Sequence, residues 1–267
     1  MGTIETAFDL TGRVAVVTGA GGGLGKGGAS LLAEAGAHVV VVDWKADLAE
    51  QAAKEISAAG HSAEAATLDV SDRAAVDALL DRIVDERGRL DVMVNNAGII
   101  TDSTPLTVTE DELDRVMAVN FKGVVFGSQA AARHMIRAGR GSIINVTSGA
   151  VDNAFAFVAA YAAAKAAAHQ FTRSLAMEVG PKGVRVNAIA PGWVDTPMNE
   201  RHVRNDDGTI DPDRKQAYVA GRRTMSPLGI TGEPVDQAFA MLYLASDAAR
   251  FMTGNVIRPN GGATMPW

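Results

Sequence analysis

Tyr161 and Lys165 stand four positions apart in "YAAAK", inside an alanine-rich stretch that reads as a helix from Tyr161 to Val179. At i and i+4 they share one face. A free tyrosine titrates at about 10 and is a poor base near neutrality. A neighbouring ammonium favours the phenolate and lowers that value. The pair could therefore take a proton from an alcohol or give one to a ketone. Ser148 follows the apolar run Ser142–Thr147. At the end of a strand its hydroxyl could hydrogen-bond a substrate oxygen and hold it beside Tyr161. Taken alone, Tyr161 and Lys165 read as an amphipathic helix with a snorkelling lysine. The chemistry becomes credible only through the other motifs of the chain.

The most conspicuous of these is "TGAGGGLGKGG", residues 18–28. A strong apolar run precedes it and a helix-forming segment follows, so it is not a linker. It fails the phosphate-loop pattern G-x-x-x-x-G-K-[ST] twice: Ala20 stands at the first glycine and Gly27 at the hydroxyl. G-x-G-x-x-G matches at Gly23, Gly25 and Gly28, but it starts four residues late for the end of the strand. The better register is T-G-x-x-x-G-x-G, on Thr18, Gly19, Gly23 and Gly25. There Gly19 ends the strand, Gly23 admits a pyrophosphate close to the backbone, and Gly25 lets the helix start against the sheet. The helix N-terminus then offers unpaired N–H groups and a positive dipole end to phosphate. Asp43 ends the second apolar run, where a carboxylate can accept both ribose hydroxyls and would repel a 2′-phosphate. NAD is therefore preferred over NADP, although Lys45 is nearby.

The elements that must position these groups are legible as an alternation. Apolar runs at Val14–Thr18, His38–Asp43, Ala63–Val70, Val92–Asn95, Ser142–Thr147, Val184–Ile189 and Val256–Pro259 read as strands buried on both faces. Between them lie helices over Leu24–Ala35, Ala46–Ala59, Asp72–Arg87 (N-cap Ser71), Glu110–Ala138 (N-cap Thr109, capping box to Glu112), Tyr161–Val179 and Glu233–Ser246. The rhythm predicts an α/β, doubly wound, single-domain Rossmann fold over 1–267. It has about seven parallel strands and helices on both faces. A (β/α)₈ barrel is the competing architecture, one strand short. Trp193–Thr231 reads as an irregular lid over the substrate.

Composition narrows the function classes. The chain has 267 residues, is 47% hydrophobic and carries a formal net charge of −6. That argues against nucleic acid and anionic membranes. With no cysteine there is no disulfide, thiolate nucleophile or Cys-bound zinc. The five histidines are scattered, so no metal site is expected. "MGTIET" matches an N-myristoylation pattern, but no basic cluster follows and chance explains it. No secretory signal or spanning segment is legible, and a soluble cytoplasmic protein is expected.

With these residues in view, the sequence resembles the short-chain dehydrogenases/reductases from about Val14 to Gly262. The resemblance rests on "TGAGGGLG" (18–25), "LDV" (68–70), "NNAG" (95–98), Asn120, "VTS" (146–148), "YAAAK" (161–165), "PGWVDTP" (191–197) and "TGNVIRPNGG" (253–262). Each is weak alone; their joint order is specific. The resemblance implies a hydride-transferring oxidoreductase with Asn120, Ser148, Tyr161 and Lys165 as catalytic residues, Asn120 holding a relay water. It implies cofactor contacts from Gly19, Gly22, Gly23, Leu24, Asp43, Asp69, Val70, Asn96, Tyr161, Lys165, Val194 and Thr196. Gly27-Gly28 and Asn260 depart from the usual pattern without touching the reacting groups.

Ser148 and Tyr161, with Ile99, Val151, Asn153, Phe155, Trp193, Val194 and Met198, are the expected substrate walls. They suit a small or medium, mainly apolar secondary alcohol or ketone. Arg201, Arg204, Arg222 and Arg223 lie in or near the lid and could meet an anion, although surface arginines are usually solvated. The alternatives are a 3-oxoacyl carrier-protein reductase, a polyol, sugar or steroid dehydrogenase, and a non-catalytic dinucleotide sensor. The resemblance further implies a homotetramer or homodimer. The helices at 110–138 and 161–179 and the tail "ATMPW" are candidate interfaces.

Overall fold

The structure is a computed structural model that describes residues 3–205 and 207–266, without the side chain of Arg201. Gly2 of the acylation-like pattern, the Arg201 side chain and Trp267 of the tail lie outside the described residues.

Seven strands form one parallel sheet: β1 Val14–Thr18, β2 His38–Asp43, β3 Ala63–Thr67, β4 Val92–Asn95, β5 Gly141–Val146, β6 Val184–Ile189 and β7 Val256–Ile257. Their order is β3-β2-β1-β4-β5-β6-β7. Every pairing is parallel, with Val14 opposite His38, Asn95 opposite Asn145 and Val146 opposite Ile189. The open order rules out the barrel. It reverses direction between β1 and β4, which leaves a crevice at their carboxyl ends.

The helices are α1 Ile4–Phe8, α2 Gly23–Glu34, α3 Ala46–Ala58, α4 Arg73–Arg87, α5 Glu110–Met117, α6 Gly123–Ala138, α7 Ala159–Val179, α8 Pro212–Arg223 and α9 Pro234–Ala245. They cover both faces of the sheet, because both faces are apolar. Ala15, Val17, Val39, Val41, Val92 and Val94 face α2, α3 and α9, contacting Leu32, Ile56 and Met241 among others. Val14, Val16, Val40, Val42 and Met93 face α4, α6 and α7, packing with Leu80, Met135 and Val179. Burying each such side chain contributes about 1.5–3 kcal/mol.

Several expected boundaries shift for local reasons. The N-cap of α4 is Asp72, not Ser71: its carboxylate accepts from the N–H groups of Ala74 and Ala75, at 2.9 and 3.1 Å. Ser71 instead donates its hydroxyl to Asp69 at 2.7 Å. The strand expected to reach Val70 stops at Thr67. The capping box of Thr109 and Glu112 is present. The helix it opens is not continuous, since a π-helical turn at Ala118–Lys122 separates α5 from α6. Segment 193–231 is not structureless. It contains a 3₁₀ stretch, Pro197–His202, and the whole of α8. Gly232 N–H donates to Trp193 C=O at 3.1 Å, and Asp195 N–H to Gly232 C=O at 3.3 Å, so the base of the segment is closed.

Gly27 and Gly28 acquire a reason. A Cβ on Gly28 would collide with the Met241 thioether, and one on Gly27 would lie 3.0 Å from Pro234 Cβ. Their absent side chains let α2 pack against α9, helix on helix rather than helix on sheet.

Candidate active site

The crevice at the carboxyl ends of β1 and β4 opens into a cavity of about 1360 Å³. Drug-sized ligand pockets run to about 300–1,000 Å³, so this one has room for two ligands side by side.

One end is built by backbone. Gly19 has φ +63°, in the left-handed region, and a Cβ there would sit 2.8 Å from Ala97 Cα. A Cβ on Gly25 would strike the Gly19 carbonyl. The turn is clamped to β4 from the other side: Asn96 Nδ2 donates to the carbonyls of Thr18 (2.9 Å) and Gly19 (3.1 Å). Thr18 Oγ1 accepts from the N–H groups of Asn96 and Ala97, both at 3.1 Å. Gly22 caps α2 with no side-chain hydrogen bond, and no acid occupies the first turn. Its first N–H groups and positive dipole end are thus left for a ligand anion. By contrast, the N-termini of α4, α5, α8 and α9 all have acidic or hydroxyl caps. Gly19, Gly22, Gly23 and Leu24 line the cavity here, with Asp43, Asp69, Val70 and Asn96.

Asp43 is buried, and its carboxylate is held in place. Oδ2 accepts from Gly21 N–H at 3.0 Å and Oδ1 from Lys45 N–H at 3.1 Å. These residues fit a dinucleotide: bare amide donors for a pyrophosphate and an oriented carboxylate for ribose hydroxyls.

At the other end stand Ser148, Tyr161 and Lys165. Ser148 Oγ accepts from Ala150 N–H at 3.1 Å. That bond occupies a lone pair and leaves its O–H to donate. Lys165 is buried; Nζ donates to Val146 C=O at 2.7 Å and lies 5.7 Å from the centre of the Tyr161 ring. Burial pushes its pKa down from 10.5 to about 8, because the charged form has lost its water. Asn120 is fully buried in the π-helical turn, a type of widened turn often found at functional sites. Its amide is committed to the β4 loop: Oδ1 accepts from Ile99 N–H at 2.8 Å and Nδ2 donates to Ile99 C=O at 2.7 Å. Asn120 does not line the cavity itself, but Gly98 brings it close. A Cβ on Gly98 would be 2.9 Å from Asn120 Oδ1 and 3.4 Å from Lys165 Nζ.

Of the expected substrate walls, Ile99, Phe155, Trp193, Val194 and Met198 line the cavity, as does Thr196. Val151 and Asn153 do not. Asp152 is held by Arg258 in a two-pronged ion pair (2.8 and 3.1 Å), and Thr264 Oγ1 joins it at 3.2 Å. This draws the turn after Ser148 onto the chain that follows β7, and Asn153 Nδ2 contacts Ala263 C=O at 3.5 Å instead. The same contacts fold the start of the tail onto its own chain.

Sequence reasoning missed a buried polar relay between the reacting elements. Asn95 Nδ2 donates to Ser128 (3.0 Å) and Asn145 (2.8 Å), and Asn145 Nδ2 to Thr172 Oγ1 (2.9 Å). It ties α7, which carries Tyr161 and Lys165, to β5, which leads to Ser148. The signal was available: Asn95 and Asn145 are amides at or next to the ends of largely apolar strands, and buried amides need partners. Also missed was Phe157, at φ +66° on the cavity wall between Ser148 and Tyr161. A non-glycine residue there stores about 1–3 kcal/mol of strain. Tyr218 and His202, which come from the 193–231 segment, also line the cavity.

Known proteins share this arrangement. The family model for short chain dehydrogenase matches residues 13–207. Cis-4-hydroxycyclohexanecarboxylate dehydrogenase from Sinomonas cyclohexanicum is 42% identical over 259 residues, covering 94% of this chain and 96% of that protein. A 3-oxoacyl-(acyl-carrier-protein) reductase from Thermotoga maritima is 35% identical, covering 95% and 98%. The crystal structure of a gluconate 5-dehydrogenase from Burkholderia cenocepacia, in complex with NADP and tartrate, superposes with TM-score 0.89 at 33% identity, covering 98% of each chain. With the parallel sheet, the glycine turn and the Ser148, Tyr161 and Lys165 cluster in place, these matches establish that the chain belongs to the short-chain dehydrogenase/reductase family of oxidoreductases.

Proposed function

We propose that the protein interconverts a secondary alcohol and a ketone, with NAD(H) as cofactor and Tyr161 as the acid/base. One observation carries the reading: the Ser148 hydroxyl, the Tyr161–Lys165 face of α7 and the uncapped N-terminus of α2 open into one cavity. The nicotinamide, when bound, supplies or accepts the hydride. The protein does the rest. Ser148 O–H donates to the substrate oxygen and fixes it beside Tyr161. The Tyr161 hydroxyl gives its proton to that oxygen during reduction and takes it back during oxidation. Lys165 favours the phenolate electrostatically. The carbonyl of Val146 and the packing of Gly98 hold its ammonium in position. Asn120 completes the set by pinning the Ile99 loop, and a relay water there would connect Lys165 to solvent.

Asp43 supports NAD over NADP. Its carboxylate is held by two backbone N–H groups at the end of β2, where a 2′-phosphate would meet like charge. Asp69, Val70 and Asn96 would line the adenosine side, and Val194 and Thr196 the carboxamide. Segment 193–231 would act as the lid of a single 1–267 unit. The apolar walls suit a small or medium alcohol, and the hydroxycyclohexanecarboxylate for which the Sinomonas relative is named has that size. The second reading is a 3-oxoacyl carrier-protein reductase, favoured by the Thermotoga relative. We place the protein in the cytoplasm, as a homotetramer or homodimer built on α6 and α7. No helix among the described residues is long and apolar enough to cross a membrane.

The test is NAD⁺ and NADP⁺ reduction over a panel of hydroxycyclohexane, 3-hydroxyacyl thioester, polyol and steroid alcohols. NADH formation on a cyclic or linear secondary alcohol is expected. Tight NAD⁺ binding with no turnover across the panel would instead make the protein a dinucleotide sensor.

A further inference from the structure

Among its described residues, segment 193–231 brings one guanidinium, that of Arg222, into the cavity and leaves it without a carboxylate. The other described cations of the segment are engaged or turned away. Arg204 pairs with Glu200 at 3.2 Å and Arg214 with Asp211 at 3.0 Å. Lys215 lies between Asp195 (3.6 Å) and Glu200 (3.5 Å). Arg223 is exposed and off the cavity wall. Arg222 is half-buried, lines the cavity and makes no ion pair among the described residues.

It is nevertheless held. One turn earlier on α8, Tyr218 accepts from Arg222 Nη2 at 2.9 Å, and the guanidinium carbon stacks 4.8 Å from the centre of that ring. Nη1 reaches only the Met225 thioether, at 3.5 Å. A guanidinium has five N–H donors in a planar fork, so the remainder of the fork has no protein acceptor. Tyr218 is braced in turn, edge-on to Trp193 at 5.7 Å and tilted against His202 at 5.2 Å. Trp193 Nε1 is buried with no acceptor. The wall facing the reacting groups therefore combines apolar rings with donors that lack acceptors. That combination fits a ligand with an apolar body and a carboxylate end.

We infer that the substrate is a secondary alcohol or ketone bearing a carboxylate, which Arg222 receives as a two-pronged ion pair while Trp193 and Tyr218 flank the carbon skeleton. This rests on the alcohol–ketone reading and narrows it. Arg222 is a specificity-determining residue: it meets the remote end of the substrate, not the reacting carbon. Entry of the carboxylate would also reward a shift of the segment that exposes the Trp193 N–H.

The test compares 4-hydroxycyclohexanecarboxylate with its neutral carboxamide, in the wild type and in Arg222→Ala, Arg222→Lys, Arg115→Ala and Arg223→Ala. Arg222→Ala should raise KM for the carboxylate about 30-fold, with kcat nearly unchanged and the carboxamide unaffected. Arg222→Lys should fall between, since an ammonium cannot present the fork. Arg223→Ala should behave as wild type. Equal effects on both substrates, or a loss that follows Arg115, which also lines the cavity, would overturn the inference. Calorimetric titration of the NAD⁺-loaded protein with cyclohexanecarboxylate and cyclohexanecarboxamide decides the point without turnover. Preference for the carboxylate, lost in Arg222→Ala, supports the inference even if no alcohol is oxidised. Equal binding of the two by the wild type refutes it, even if neutral alcohols are turned over.

Discussion

The two ends of the cavity are made of different material. At the glycine turn, the groups that would meet a ligand are backbone N–H donors and one carboxylate held by backbone. Side chains there, such as Thr18 and Asn96, spend their hydrogen bonds on locking the turn. Beneath 193–231 the wall is made of side chains: Trp193 from the loop at its base, and Met198, His202, Tyr218 and Arg222 from a short 3₁₀ stretch and a helix with no buried residue. The first design suits a ligand that never changes. The second can be rewritten residue by residue without disturbing the sheet, as expected where one fold serves many substrates.

The comparison can be broken most severely where the two ends meet. Tyr161→Phe should lower turnover by about 10³-fold or more, while NAD⁺ binding, followed by titration, stays nearly intact. Lost binding with unchanged turnover per bound cofactor would remove Tyr161 from the chemistry. Gly25→Ala should cost about 2–4 kcal/mol and abolish dinucleotide binding, because its Cβ meets the Gly19 carbonyl, which cannot move without opening the turn. Gly28→Ala is the control, three residues on. Its Cβ meets the Met241 thioether, which can change rotamer, and alanine regains about 1 kcal/mol of helix propensity. Denaturation should place it within about 1 kcal/mol of wild type. Equal losses for the two would show that the turn is no more rigid than the helix pair.

Lys165 offers a pH test. Its pKa in the fold is about 8, below the ordinary 10.5. Between those values the unfolded chain binds the proton and the native one does not, so stability of the cofactor-free protein rises with pH through that window. Below about pH 8 both states are charged and the burial cost is fully present. Lys165→Met should flatten the rise and stabilise the protein by about 1–3 kcal/mol near neutrality while removing activity. Chemical denaturation at pH 7 and about pH 9.5 measures both. Apart from the Gly28→Ala control, the smallest effect is expected of Asp43→Ala, about a tenfold narrowing of the NAD over NADP ratio in kcat/KM. An unchanged ratio would mean that Asp43 serves only the Gly21 turn.

How much could be read beforehand follows from the range of the forces. That the glycine turn, Asp43, Ser148, Tyr161 and Lys165 would line one crevice was legible because each depends on a strand end or a helical turn, which a few neighbouring residues dictate. Four strands fell on their expected boundaries for the same reason. The break at Ala118–Lys122 was not legible: Asn120, inside the π-helical turn, bonds Ile99, which no local window contains. Asn153 failed because the Arg258–Asp152 pair, set by residues more than a hundred positions apart, turns it away. Gly27 and Gly28 had no meaning until α9 lay against them.

What the sequence determined by itself is the parallel α/β order, the glycine turn at the end of the first strand and the candidate cluster of Ser148, Tyr161 and Lys165. These rest on local periodicity, φ preferences and spacing along one element. The tertiary structure decided which distant side chains meet: Asn120 reaches Ile99, Thr172 reaches Asn145, and Arg222 lines the cavity apart from the other described arginines of its segment. Those choices depend on burial and on partners brought together only when the sheet and helices pack, and no window along the chain contains them.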